Sequence, residues 1–216
     1  MKIFLDSTNI EEIREINKLG IIDGITTNPS LIAKSGKGFN QILKSICKEV
    51  KGPISAEVTA ENFENMLSEA KILSKISKNI VIKLPLAFNG LKACKHLTKK
   101  NYKTNVTLCF TVPQAILAAK AGATYISPFI GRLDDIGQNG VNLIRDIKKV
   151  FSNYTNFKTK ILAASIRSIE HVAEVSKAGA DISTIPTKIF HQLYKHELTD
   201  NGLIIFIEGW EMSKQK

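Results

Sequence analysis

Lys83 is the residue on which any chemical reading of this chain turns. It stands in Ile80-Val81-Ile82-Lys83-Leu84-Pro85-Leu86, the lone cation of a tightly apolar run. A lysine in such a run is snorkelling, paired with an acid, or turned into a water-poor interior. The last arrangement strips solvent from the ammonium, lowers the amine's pKa and frees it to attack a carbonyl. Imine chemistry needs proton transfers, to the carbinolamine oxygen as water leaves and from a substrate hydroxyl as a C–C bond breaks. Asp6 and Glu57, each closing its own short apolar run, supply two separate carboxylates for those steps.

A second group of residues suits an anion. Arg132 ends Ser127-Pro128-Phe129-Ile130-Gly131-Arg132, and Ser165 with Arg167 ends Ala163-Ala164-Ser165-Ile166-Arg167. Arginine offers a planar fork matched to phosphate oxygens, and a serine at a helix start adds hydroxyl and backbone donors.

These residues need elements to position them. Short β-branched and apolar runs at 3–6, 24–26, 54–58, 80–84, 104–108, 125–127, 161–165 and 182–185 alternate with stretches whose apolar residues recur at spacings of three and four. Ile10, Ile13, Ile16 and Leu19 make one such stripe, with Thr8 as the expected N-cap; Met66, Ala70 and Leu73 make another, and Leu143, Ile147 and Val150 a third. Gly24, Gly122 and Gly179 fall where turns between helix and strand need them. Eight strands alternating with helices, without a linker or composition break, predict a parallel sheet closed into a (β/α)8 TIM barrel, one domain over 1–216. An open dinucleotide-binding sheet is disfavoured because no G-x-G-x-x-G follows the first strand. Residues 201–212 read as an additional C-terminal helix. Its Leu203, Ile204, Phe206, Ile207 and Trp210 exceed what a solitary exposed helix carries, so it is expected to pack on something, a neighbouring subunit being the natural choice.

The strand ends then fall into a pattern. Asp6 closes the first, Thr26 and Asn28 the second, Glu57 the third, Lys83 the fourth, Thr107 the fifth, Ser127 the sixth and Ser165 the seventh. In a closed parallel barrel those ends converge on one face, where active sites sit, and the late strands often hold phosphate.

Bulk properties bound the alternatives. The 216 residues are 44% hydrophobic and 23% charged, and no apolar run approaches the roughly 20 residues of a membrane span. The N-terminal Met1-Lys2-Ile3-Phe4-Leu5-Asp6 meets an acid too early for a signal peptide, which makes the cytoplasm the expected location. Three cysteines (Cys47, Cys94, Cys109) without a C-x-x-C pair, and four histidines without H-E-x-x-H, argue against a disulfide framework or a zinc site. The N-x-T sequons at Asn105 and Asn153 read as chance. The net charge of +10 admits a nucleic-acid partner, but acids interrupt nearly every basic stretch and no binding motif is present.

Gly24-Ile25-Thr26-Thr27-Asn28-Pro29-Ser30, Ile80-Val81-Ile82-Lys83-Leu84-Pro85, Ser127-Pro128-Phe129-Ile130-Gly131-Arg132 and Leu162-Ala163-Ala164-Ser165 together resemble, in order and along the whole chain, the motifs of the transaldolases and related fructose-6-phosphate aldolases. The resemblance implies that Lys83 forms the imine with a ketose donor, that Asp6 handles the proton of the hydroxyl beside the broken bond, and that Glu57 and Thr107 hold the water that shuttles protons. By the same resemblance Asn28 and Ser127 bind the dihydroxyacetone portion, Thr26 supports Asp6, and Arg132, Ser165 and Arg167 hold the acceptor's phosphate. It further implies phosphorylated sugars as partners, no metal or organic cofactor, and a ring-shaped homo-oligomer, commonly a decamer, with the C-terminal helix exchanged between subunits.

Two positions divide the activities within that family. The aldolases carry Gln where Glu57 stands and Tyr where Phe129 stands, so this chain follows the transaldolase pattern. Without a tyrosine hydroxyl near the enamine, protonation by water slows and the three-carbon unit waits for an aldose acceptor. A fructose-6-phosphate aldolase, which releases dihydroxyacetone without an acceptor, remains the alternative; a catalytically silent scaffold is disfavoured by the intact motifs. Asp134-Asp135 after Arg132 has no role at this level.

Overall fold

The computed structural model describes residues 1–34 and 38–214. Its strands are β1 (Lys2–Asp6), β2 (Gly24–Thr26), β3 (Ile54–Glu57), β4 (Ile80–Pro85), β5 (Thr104–Cys109), β6 (Tyr125–Pro128), β7 (Lys160–Ala163) and β8 (Ile182–Pro186). The helices are α1 (Ile10–Asn17), α2 (Pro29–Lys34), α3 (Phe39–Glu49), α4 (Phe63–Ser74), α5 (Phe88–Lys99), α6 (Val112–Ala121), α7 (Ile130–Asp134), α8 (Gly140–Ser152), α9 (Ile169–Lys177), α10 (Thr187–Phe190) and α11 (Glu197–Lys214). All eight strands pair in parallel, in sequence order, and β8 closes on β1. The expected (β/α)8 barrel with a C-terminal helix is what the chain forms.

The strands are apolar because both faces are covered. One face meets the helices, whose stripes fill the outer core: Ile42, Leu43 and Ile46 from α3, Met66, Ala70 and Leu73 from α4, Leu143, Ile144 and Ile147 from α8. The other face fills the barrel. Phe4, Val81, Tyr125, Leu162 and Ile182 form a separate inner cluster, with Phe4 and Tyr125 edge to face at 6.1 Å. Gly24 belongs to this layer by what it lacks: a Cβ there would lie 2.7 Å from the Phe4 ring and 2.6 Å from the Pro53 carbonyl. Side chains alternate along a strand, so the residue two positions after each member of this layer faces the same interior, one step nearer the C-terminal mouth. Those residues are Asp6, Thr26, Lys83, Ser127, Ala164 and Thr184.

Several local expectations change. Asn9, not Thr8, caps α1, accepting from the backbone N–H groups of Glu11 and Glu12; the Thr8 hydroxyl instead donates to the Leu31 carbonyl at 3.1 Å. Leu19 lies beyond α1 and is exposed, so the buried face of that helix is Ile13 and Ile16. β3 ends at Glu57 and β7 at Ala163, which leaves Val58 and Ser165 in the loops that follow. Gly122 and Gly179 adopt left-handed backbone, as a turn from helix to strand requires.

α11 is longer than expected, 18 residues, and buries none of its side chains. Leu198, Phe206 and Trp210 are 75%, 75% and 64% exposed. None of the described residues covers it. Among the described residues no helix is long and apolar enough to cross a membrane.

Candidate active site

The inward-facing residues above the Phe4 layer line a cavity of about 470 Å³ at the C-terminal mouth of the barrel. It holds all of the residues singled out in the sequence: Asp6, Thr26, Asn28, Glu57, Lys83, Thr107, Ser127, Phe129, Arg132, Ser165 and Arg167. A neighbouring groove of about 790 Å³ between the ends of β1 and β8 shares Asp6 and Leu31 with it, but Lys83 and Glu57 belong to the first alone.

Lys83 is 5% exposed, although it is a lysine. Its Nζ lies 2.9 Å from Glu57 Oε2 and donates to the Thr27 carbonyl at 3.1 Å. The pairing follows from register, since Glu57 and Lys83 are direct partners across β3 and β4 and both face inward. Of the alternatives open for such a lysine, this one is both paired with an acid and turned into the barrel.

Asp6 sits at the end of β1, beside Thr26 in register on β2. Thr26 Oγ1 donates to Asp6 Oδ1 at 2.8 Å and lies 2.6 Å from Thr184 Oγ1. Burial holds the Asp6 carboxyl above the usual carboxylate range; the Thr26 hydrogen bond and the Lys83 charge pull it back, and the Glu57 charge pushes it further up. A carboxylate made reluctant to ionise, and kept from full neutralisation by one hydroxyl and one ammonium, is suited to taking and returning a proton.

Polar residues continue around the interior. The Thr107 hydroxyl is buried with no hydrogen-bond partner among the described residues. Ser127 Oγ donates to Asn105 Oδ1 at 2.8 Å, and Asn105 Nδ2 donates to Ser55 Oγ at 3.1 Å. The Asn28 side-chain carbonyl accepts from the Leu31 N–H at the start of α2, which fixes its amide and leaves the NH2 end free to donate.

The outer wall is built by loops. Phe129 meets Phe110 edge to face at 5.9 Å, and the Arg132 guanidinium lies over the Phe129 ring at 5.4 Å. Ser165 and Leu108 both have left-handed backbone, with φ of 60° and 61°, an uncommon conformation for residues with side chains. At Leu108 the β5–β6 register shifts, and at Ser165 the chain leaves the barrel. The helix after β7 begins later than anticipated, at Ile169 with Ser168 as its cap, so Ser165 contributes from a loop and not from a helix start.

Arg167 is held in a two-armed ion pair by Asp135, one arm being Nη2 to Oδ2 at 2.6 Å and the other Nη1 to Oδ1. That contact keeps the Asp135 carboxyl below its ordinary range. Asp134 accepts from the Gly140 N–H at the start of α8, at 3.0 Å, and faces His171 Nε2 at 3.1 Å. The acidic pair without a role in the sequence therefore ties the α7 segment that carries Arg132 to the loop that carries Arg167. Gly131 permits it, because a Cβ there would lie 2.4 Å from the Ser165 carbonyl and 2.7 Å from Arg167 Nε.

Three residues of the site escape the sequence pattern. Thr184 lies within β8, next to a second hydroxyl at Ser183, and it is Thr184 that lines the cavity. Asn105 and Ser55 sit two positions before Thr107 and Glu57, deeper along the same inward faces. The Asn105-Val106-Thr107 sequon is a chance match, as expected, since Asn105 is fully buried; its two polar residues face inward at period two.

The motif resemblance extends to the entire sequence. The profile of the transaldolase/fructose-6-phosphate aldolase family matches residues 3–215. The chain belongs to that family. A protein of Bartonella tribocorum described as a probable transaldolase is 56% identical over 215 residues, covering 100% of this chain and 99% of its own. Another of that description, from Caldicellulosiruptor saccharolyticus, is 56% identical with 100% of both chains covered. Brucella ovis has a probable transaldolase that is 54% identical over 216 residues, 100% of this chain and 99% of its own. Among solved structures, thiamine phosphate pyrophosphorylase from Pyrococcus furiosus superposes with a TM-score of 0.60 over 89% of this chain and 93% of that one; at 15% identity it shares the barrel alone. Membership in the transaldolase/fructose-6-phosphate aldolase family makes the chain an enzyme, a transferase acting on aldehyde or ketone groups, and Lys83 and Glu57 form a buried ion pair within its cavity.

Proposed function

We propose that this protein is a transaldolase that transfers a dihydroxyacetone unit from a ketose phosphate, sedoheptulose 7-phosphate or fructose 6-phosphate, to an aldose phosphate, glyceraldehyde 3-phosphate or erythrose 4-phosphate. The observation that carries the proposal is Lys83 Nζ, buried in the barrel mouth and 2.9 Å from Glu57. Glu57 accepts a proton from the Lys83 ammonium, and the neutral amine attacks the ketose C2 carbonyl. The carbinolamine oxygen leaves as water with protons returned through Glu57 and a water held against the Thr107 hydroxyl. Asp6 takes the proton of the C4 hydroxyl as the C3–C4 bond breaks, the aldose phosphate departs, and the electron pair is stored in an enamine on Lys83. The enamine then adds to the acceptor aldehyde, Asp6 returns its proton to the new hydroxyl, and hydrolysis of the imine frees Lys83. No metal or organic cofactor enters these steps, because the lysine amine serves as the electron sink.

The remaining residues bind. Asn28, through its free NH2 group, and Ser127 hold the dihydroxyacetone hydroxyls. Arg132, Ser165 and Arg167 hold the acceptor's phosphate, Asp135 fixing the position of the Arg167 guanidinium, whose remaining N–H groups are left for the anion. Phe129 supports transfer over release: it presents a ring without a hydroxyl, so protonation of the enamine by water is slower than beside a tyrosine. We further propose a homo-oligomer, on the model of the family's decamers, in which α11 is covered by a neighbouring subunit, and a place in the cytoplasmic pentose phosphate pathway, to which three unpaired cysteines are suited.

Borohydride reduction in the presence of fructose 6-phosphate tests the chemistry: a covalent adduct is expected on Lys83 and none on Lys83→Ala. Full activity in Lys83→Ala refutes the imine. Transfer is separated from release by assaying fructose 6-phosphate with and without erythrose 4-phosphate. Glu57→Gln combined with Phe129→Tyr is expected to raise cleavage without an acceptor; an unchanged rate removes the basis for preferring a transaldolase.

A further inference from the structure

We infer that Thr184 is a positioning residue for Asp6: by donating its hydroxyl proton to Thr26, it fixes which way the Thr26–Asp6 hydrogen bond runs and which carboxylate oxygen is left for the substrate. The inference rests on the proposed role of Asp6 as the acceptor of the C4 hydroxyl proton. Its basis is a proton count. Thr26 Oγ1 has one proton and two close partners, Asp6 Oδ1 at 2.8 Å and Thr184 Oγ1 at 2.6 Å. An ionised carboxylate only accepts, so the Thr26 proton goes to Asp6 and the contact to Thr184 must be a donation from Thr184. Thr26 and Thr184 are each 3% exposed, which leaves water little access to take over either bond.

The barrel's closure builds this relay. β1 pairs with β2 on one side and β8 on the other, so Thr26 and Thr184, 158 positions apart, meet beside Asp6. With Oδ1 accepting from Thr26, the substrate proton is directed to Oδ2. Without Thr184, Thr26 is free to turn its hydroxyl away, the carboxylate loses a fixed donor, and its ionised form is harder to reach. Other groups act on the same carboxylate: Lys83 from β4 and Glu57 from β3 by their charges. Arg132 and Arg167 stand across the cavity, while Glu11, Glu12 and Arg14 of α1 and Lys188 of α10 line the adjoining groove. None of these is altered by removing the Thr184 hydroxyl.

The test is the pH dependence of kcat and KM for transfer from fructose 6-phosphate to erythrose 4-phosphate, in wild type, Thr184→Val and Thr184→Ser. In Thr184→Val the acid limb of kcat is expected to move up by roughly half to one pH unit and kcat near neutrality to fall about fivefold, the worth of one ordinary hydrogen bond. KM should change less than about twofold, and Thr184→Ser should restore the wild-type profile. Because Thr184 acts through Thr26, Thr26→Val/Thr184→Val should be no slower than Thr26→Val alone. An equal loss of kcat at every pH, an unshifted profile, or additive losses in the double variant overturns the inference. Should Thr184→Val fail to fold, Thr184→Ala carries the same expectations. Borohydride trapping on Lys83 separates the two levels: if wild type forms no adduct, the underlying reading fails, whereas normal adducts in all variants with an unmoved acid limb sink the role of Thr184 alone.

Discussion

Replacing Lys83 by methionine keeps most of the side chain's apolar length and removes its charge, leaving Glu57 without its cation. At the observed 2.9 Å, the Coulomb attraction of the pair is about 6 kcal/mol at an effective dielectric of about 20, and about 1.4 kcal/mol in bulk water. Desolvation of two charges consumes much of this, so the pair's net contribution is small, but breaking it by removing one partner costs about 3–5 kcal/mol. The Glu57 side chain retains 15% of its exposure, and water can reach part of the stranded carboxylate, which puts Lys83→Met near the lower end, about 3 kcal/mol. Glu57→Gln leaves the Lys83 ammonium its Thr27 carbonyl and a neutral amide oxygen, and should cost about 1–2 kcal/mol. Lys83→Met/Glu57→Gln should then be more stable than the sum of the single losses predicts, by about 2–3 kcal/mol. Urea unfolding of the four proteins at one protein concentration measures that difference, provided each unfolds in a single transition. Raising the salt from about 0.1 to 1 M should change it little, because the contact is shielded from solvent ions. If the single losses add to within about 0.5 kcal/mol, Lys83 and Glu57 are not coupled, and Glu57 cannot be the immediate proton partner of the amine.

Asp6→Asn should abolish transfer yet stabilise the fold at neutral pH. The folded carboxyl titrates above its unfolded value of 3.8, so the native state binds more protons between those two points, and the stability Asp6 contributes is lost as pH rises through the folded pKa. The melting advantage of Asp6→Asn should be near zero below pH 3.8, grow as pH rises through the folded pKa and level off above it; an advantage that shrinks with rising pH refutes the burial argument. Truncation after Lys195, which removes α11, should lower the sedimentation coefficient of the assembly or make the protein disperse into smaller species; an unchanged coefficient would show that α11 holds no subunits together.

The fold was legible because the pattern repeats. Each strand is an apolar run bounded by turn residues, and eight such runs separated by helical stripes leave little choice but closure. The site was legible because a polar residue at the end of an apolar strand is conspicuous: Lys83 among Ile80, Val81 and Ile82 cannot be ignored. What escaped was polar residues that are not terminal, Asn105 and Ser55, since a buried asparagine inside a strand looks like any other residue until its partners across the barrel are known. Thr184 escaped because Ser183-Thr184 offers two hydroxyls, and only the side that each faces tells them apart. The left-handed backbone at Ser165, and the ion pair that gives Asp135 its purpose, depend on loops whose course no periodicity encodes.

The two-residue alternation that separates the Phe4 layer from Lys83 and its neighbours has a consequence for how such a chain can change over generations. Deleting or inserting a single codon within β4 would turn Lys83 towards the surrounding helices and swing Ile82 or Leu84 into the cavity, exchanging reactive and greasy positions in one step. Length variation is therefore confined to the connections beyond the strands, while the strands admit only replacement, and the amine's address is kept by odd and even numbering.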